Sequence, residues 1–195
     1  VQDIAKRLIA QTGVFRDDAL KWKWQVNVIN EDTLNAWCMP GGRIVVYSGI
    51  IKRLNLTDAQ LAAVMGHEIA HALREHSREQ ASTDQMKSIG IFAIATATGL
   101  GDLGANALNL ASEYTISLPF SRSHETEADH IGTELMARAG YDPKEAVEVW
   151  VKMSKMSGGK VPEILSTHPS NESRIKDLKE IAAKLEPVYQ AAKRS

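Results

Sequence analysis

Residues 57–73 read Thr57-Asp58-Ala59-Gln60-Leu61-Ala62-Ala63-Val64-Met65-Gly66-His67-Glu68-Ile69-Ala70-His71-Ala72-Leu73, and this stretch decides the fold. Thr57 followed by Gln60 is a capping-box start: the Thr hydroxyl and the Gln amide each satisfy a backbone N–H of the first turn. Leu61, Val64, Met65, Ile69 and Ala72 then form an apolar stripe at helical spacing. Inside it lies an HExxH pattern. Positions four apart share a helix face, so His67 and His71 converge on one point. Glu68 projects about 100° round from His67, within reach of a water at that point. Two neutral imidazoles, a Lewis-acidic cation and a carboxylate base are the parts of a zinc hydrolase. The plain alternative is a pair of satisfied core histidines, but two histidines and a carboxylate at the rim of a core are costly unless paired or metal-bound.

A catalytic zinc takes three protein ligands and keeps one position for water. The continuation HExxHxxGxxH is absent, because Arg74 and Ser77 hold the positions of its glycine and last histidine. His76 is expected to point off the ligand face. The best third ligand is Glu125 in Ser121-Arg122-Ser123-His124-Glu125-Thr126-Glu127-Ala128-Asp129. Glu125 and Asp129 share a face of a predicted helix. Glu125 can ligate while Asp129 accepts the outer N–H of a ligand histidine, which fixes the ring. Glu127, about 200° round, points elsewhere. The alternative is an exposed acidic helix start.

These motifs carry a resemblance. The chain resembles the M48 family of zinc metallopeptidases over nearly its whole length. The likeness rests on Asn35 to Ile44 (Asn-Ala-Trp-Cys-Met-Pro-Gly-Gly-Arg-Ile), His67 to His71, Glu125 to Asp129, and Thr167-His168-Pro169-Ser170-Asn171-Glu172-Ser173-Arg174-Ile175. It implies a gluzincin-like domain over residues 1–195, α+β and predominantly helical, with a small antiparallel sheet of about three strands against the HExxH helix. It implies Glu125 as third zinc ligand, Asp129 as its histidine-orienting partner, and one zinc per chain. The family's soluble bacterial branch is periplasmic, so the resemblance implies a bacterial cell envelope and unfolded or misfolded polypeptides as substrates. His168 belongs to the fourth motif, with Arg174 positioned to anchor its loop. The imidazole either donates to an oxyanion or swings onto the zinc and keeps the enzyme latent. A plain loop histidine before Pro169 is the third reading.

Composition fits this class. A chain of 195 residues is large enough for a real core. A net charge of −1 gives no basic footprint, so nucleic acid is not an expected partner. The lone Cys38 sits in a predicted strand, where a buried thiol is expected rather than a nucleophile. The chain opens at Val1 without a signal-peptide pattern, which predicts trimming or processing.

The remaining pattern predicts a helix over 2–12 and strands over 24–29, 34–39 and 43–48, the last two around Pro40-Gly41-Gly42. Helices follow over 83–98 and 105–117. The Glu125 helix closes at Gly140, another opens at Asp142-Pro143, and a last one begins near Ser170. If strand 43–48 is the sheet edge beside the zinc, an extended peptide can add to it by main-chain hydrogen bonds. The apolar run Ile89 to Ala97 is too short for a span of about 20 residues. It reads as internal packing, with a flap or peripheral membrane contact as the minority reading. Oligomeric state stays open. The expected function is a zinc metalloendopeptidase in which Glu68 is the general base. The alternatives are a zinc-stabilised module that binds unfolded clients without cutting, and a hydrolase of a non-peptide amide.

Overall fold

The computed structural model describes residues 1–97, 119–156, 163–170 and 172–194. Its elements in chain order are α1 (Gln2–Ile9), β1 (Gln25–Ile29), β2 (Ala36–Met39), β3 (Arg43–Tyr47), α2 (Ser48–Leu54), α3 (Asp58–Leu73), α4 (His76–Ala97), α5 (Arg122–Arg138), α6 (Lys144–Lys155), α7 (Glu163–Thr167) and α8 (Glu172–Ala192). The fold is mostly helical with one small sheet, a gluzincin-like arrangement in which α3 is the central element.

Helix α3 starts where the sequence predicts. The Thr57 hydroxyl accepts from Gln60 N at 3.2 Å and the Gln60 amide oxygen accepts from Thr57 N at 3.4 Å. Every residue from Gln60 to Leu73 is buried. A helix buried all round sits in the middle of a core, and its polar residues must be satisfied there. The sheet and α5, α6 and α1 pack around it. Leu8, Ile44, Met65, Ile69, Leu135, Met136, Met153 and Leu178, all essentially inaccessible, fill the spaces between.

The crossing of α3 and α5 is unusually close. A Cβ on Gly132 would stand 2.7 Å from His67 N, and one on Gly66 would stand 2.7 Å from Gly132 O. Only glycine permits backbones to touch in this way. The contact brings Glu125 and Asp129, which precede Gly132 on α5, against His67.

Two sequence expectations are corrected here. The sheet is mixed, not antiparallel, in the order β1-β3-β2. Strand β3 is therefore central, parallel to β1 and antiparallel to β2, and is not an edge. The cause lies in the connection 30–35. Gly49 N donates to Glu31 O at 2.8 Å, and the Ser48 hydroxyl reaches Asn30 and Glu31. The connection is thus tied to the start of α2 and carries the chain past β3, so β2 pairs on its far side. Among the described residues β2 is the edge strand next to α3. Helices α2 and α7 are additions that the sequence reading did not foresee. The predicted helix 105–117 lies outside the described residues. No described helix is long and apolar enough to cross a membrane.

Candidate metal centre

Four parts of the chain converge on one point. Helix α3 presents His67 and His71, α5 presents Glu125 and Asp129, the segment after α7 presents His168, and α8 presents Arg174. All six side chains are buried. His67 Nε2 and His71 Nε2 are 3.1 Å apart. Glu125 straddles them, with Oε2 3.4 Å from His67 Nε2 and Oε1 3.1 Å from His71 Nε2. His168 Nδ1 lies 2.8 Å from Glu125 Oε1 and 3.3 Å from His67 Nε2. One donor atom from each of His67, His71, Glu125 and His168 falls within 4.8 Å of every other. Donors around a tetrahedral zinc at about 2.0–2.1 Å stand about 3.3 Å from one another. The observed spacings fit a metal ion of that size. Three imidazoles and a carboxylate are also the donor chemistry that such an ion takes.

The outer contacts orient these donors. His67 Nδ1 faces Asp129 Oδ1 at 3.0 Å. Asp129 in turn accepts a two-pronged contact from Arg174, Nε to Oδ2 at 2.5 Å and Nη2 to Oδ1 at 2.8 Å. Arg174 Nη1 also donates to Pro169 O at 3.0 Å and lies 2.7 Å from Glu125 Oε2. Arg174 therefore ties the His168 segment to α5. Its guanidinium packs 3.9 Å above the Trp150 ring, which meets the edge of His67 at 5.2 Å. Trp150 and Phe120, the latter 4.2 Å from the His71 ring, were missed from sequence. Trp150 reads as one more apolar residue on the buried face of α6 with Ala146, Val149 and Met153. Phe120 stands outside any motif.

Burial opposes charge throughout the cluster, and partners decide the outcome. Burial lowers His67, but Glu125 and Asp129 overrule it and hold the ring up at about 9. Burial pushes His71 well below the ordinary histidine value. Burial works against ionised Glu125, yet His67, His168 and His71 keep its carboxyl well below the usual range. Asp129 is lowered against the same penalty by Arg174 and His67. Glu68 differs: burial raises its carboxyl, and His168 and His67 only partly compensate. Its Oε1 sits 3.4 Å from His168 Nε2.

His76 and Glu127 stay outside the ligand cluster, yet they connect to it from behind His71. Helix α3 ends at Leu73, and Glu75 takes a left-handed backbone, φ 54°, before α4 begins at His76. The turn folds His76 back, so its Nδ1 meets His71 Nδ1 at 3.0 Å while its Nε2 meets Glu127 Oε2 at 2.8 Å. The break after α3, which no glycine announces, is what brings His76 between His71 and Glu127.

The cluster opens into a cavity of about 420 Å³ lined by Asn35 to Met39 of the β2 region, with Glu68, His71, Phe120 and His168. The edge strand beside the site is therefore β2. In its ladder Tyr47 N donates to Asn35 O and Gly42 N to Met39 O. Alternation of an antiparallel pair then turns the main chain of Ala36 and Cys38 to the open side. Cys38 itself is buried, and burial pushes its thiol up, as befits a structural residue.

The model of peptidase family M48 matches residues 1–182. The mitochondrial metalloendopeptidase OMA1 of Schizosaccharomyces pombe is 37% identical over 182 residues, 92% of this chain and 51% of that protein. Its namesake in Arabidopsis thaliana is 40% identical over 153 residues, 78% of this chain and 30% of that protein. The beta-barrel assembly-enhancing protease of Escherichia coli is 29% identical over 198 residues, 96% of this chain and 39% of that protein. The chain spans between about a third and a half of the length of these relatives. The expectation of a bacterial cell envelope is corrected by these names. The relatives of higher identity, from a plant and from fission yeast, are mitochondrial by name, so family membership does not carry a bacterial location.

Proposed function

The chain belongs to peptidase family M48, and from that premise we propose that it is a zinc metalloendopeptidase acting on unfolded or misfolded polypeptides, with residues 1–195 as one catalytic domain. The observation that carries the reading is Glu68, a buried carboxyl held above its ordinary value, beside a three-histidine, one-carboxylate cluster at the floor of an open cavity. A purely structural zinc site needs no such base.

In this reading His67, His71 and Glu125 hold the zinc. When bound, the ion supplies a Lewis acid that polarises the scissile carbonyl and acidifies a water. Glu68 removes the proton from the attacking water and later delivers it to the departing amine; burial raises its carboxyl, which favours taking up that proton. Asp129 accepts the His67 Nδ1–H and keeps Nε2 turned inward, and Arg174 holds Asp129 in place. An extended substrate lies along β2, pairing with the main chain of Cys38 at the open edge, so binding draws on backbone rather than on side-chain identity.

His168 completes a set of four protein donors, and a catalytic site keeps one position open. This supports His168 as a latch that occupies the open position at rest and must swing aside for substrate. Incubation of the purified protein with unfolded casein, with and without a chelator, tests the function: fragments that appear only without chelator are expected, and an intact substrate in both arms of the experiment, even for His168→Ala, contradicts it.

A further inference from the structure

We propose that His76 and Glu127 form a relay that orients His71, so that one carboxylate of α5 positions each zinc-facing histidine: Asp129 directly on His67, and Glu127 through the interposed ring of His76 on His71. The inference rests on the reading that His71 binds the ion through Nε2.

The tautomers follow from the distances. His71 Nε2 faces Glu125 and His67, so its lone pair is needed there and its proton belongs on Nδ1. Among the described residues the partner of Nδ1 is His76 Nδ1 at 3.0 Å. That nitrogen must accept, which places the His76 proton on Nε2, where it donates to Glu127 Oε2 at 2.8 Å. Glu127 is fixed from its other oxygen by Arg74 Nε at 2.8 Å. Every proton in the chain from carboxylate to His71 is thereby assigned, and the assignment leaves His71 Nε2 free to bind.

The fold is shaped to make this contact. His76 is 1% exposed although it opens a new helix at the surface end of α3. It is placed by Glu75, a non-glycine residue in the left-handed region, a conformation that L side chains adopt only under strain. Glu75 is held in that conformation by Arg16, which contacts its carboxylate at 3.1 Å and Leu73 O at 3.0 Å. The ring of His124 stacks on His76 at 4.4 Å and closes it from the other side. A local strain, two anchoring arginines and a stacked ring all converge on holding one imidazole against the back of His71.

The test measures zinc affinity by competition with a chromophoric chelator. His76→Phe keeps the ring volume and the stack but removes the accepting nitrogen; affinity should fall about 10–100-fold. His76→Asn offers an amide oxygen near the place of Nδ1 and should recover most of that loss. Glu127→Gln keeps the size of a side chain that is 38% exposed and removes its charge. It should lower affinity by less than His76→Phe and shift the visible absorption of the cobalt-substituted protein. Equal affinities for the Phe and Asn variants, or an unmoved cobalt spectrum in Glu127→Gln, overturn the relay. The unaltered protein and His71→Ala are measured alongside. Zinc bound equally by both overturns the ligand reading itself, whereas zinc lost in His71→Ala and unchanged in both His76 variants overturns the relay alone.

Discussion

Gly132→Ala asks whether the close approach of α3 and α5 sets the site. In an unconstrained helix interior, replacing glycine by alanine stabilises by about 1 kcal/mol. At Gly132 the new methyl would stand 2.7 Å from His67 N, 2.8 Å from Gly66 C and 2.8 Å from His67 Cα. All three are backbone atoms of a buried helix and cannot rotate away. Contact becomes ordinary at 3.4 Å, so α5 must retreat by roughly 0.6–0.7 Å. Overpacking of this kind costs about 1–3 kcal/mol, which cancels or exceeds the propensity gain. The net expectation is a loss of up to about 2 kcal/mol, seen as a fall in Tm of a few degrees. Because Glu125 and Asp129 ride on α5, the same retreat pulls both away from His67. Misplacement approaching 1 Å is costly for a bound site, and zinc affinity should fall about 10-fold or more. Thermal unfolding of the metal-free protein and chelator competition measure the two effects separately. A variant that melts higher than the parent and binds zinc equally well would show that the glycine contact does not position the site.

The proton held on His67 up to about pH 9 competes with zinc for the same nitrogen, so apparent zinc affinity should keep rising from pH 6 to about 9 and level off above it; a plateau already reached at pH 7 contradicts this. The sign for the metal-free protein is opposite. A raised folded-state pKa contributes stability that is complete below about 6.5 and lost as pH climbs through about 9, so metal-free Tm should decline over that window. His168→Ala, read as removal of a latch, should raise basal casein cleavage; a fall of about 10²–10³ with zinc retained would instead assign His168 to oxyanion stabilisation.

The parts legible in the sequence are those written over a few neighbouring residues. The Thr57–Gln60 capping box, the i, i+4 pairing of His67 with His71 and of Glu125 with Asp129, and the glycine after α5 are all local patterns, and each lies where the residues predict. What was not legible depends on long-range crossings. The place of β2 at the edge is decided by a six-residue connection bonded to the start of α2, which has no sequence signature. The return of His76 onto His71 depends on a left-handed glutamate, a conformation normally announced by glycine or asparagine. Trp150 joins the site only because α6 packs across α3, and a core tryptophan looks the same in sequence whether or not a guanidinium lies over it.

The central claim is that Glu68 supplies base chemistry next to zinc that other residues hold. Zinc content and casein cleavage measured on one preparation of Glu68→Gln, beside the unaltered protein and His67→Ala, test it most directly. The account predicts one zinc per chain and an intact fold in Glu68→Gln with cleavage abolished, and loss of both zinc and cleavage in His67→Ala. Cleavage by Glu68→Gln at the parental rate would contradict it.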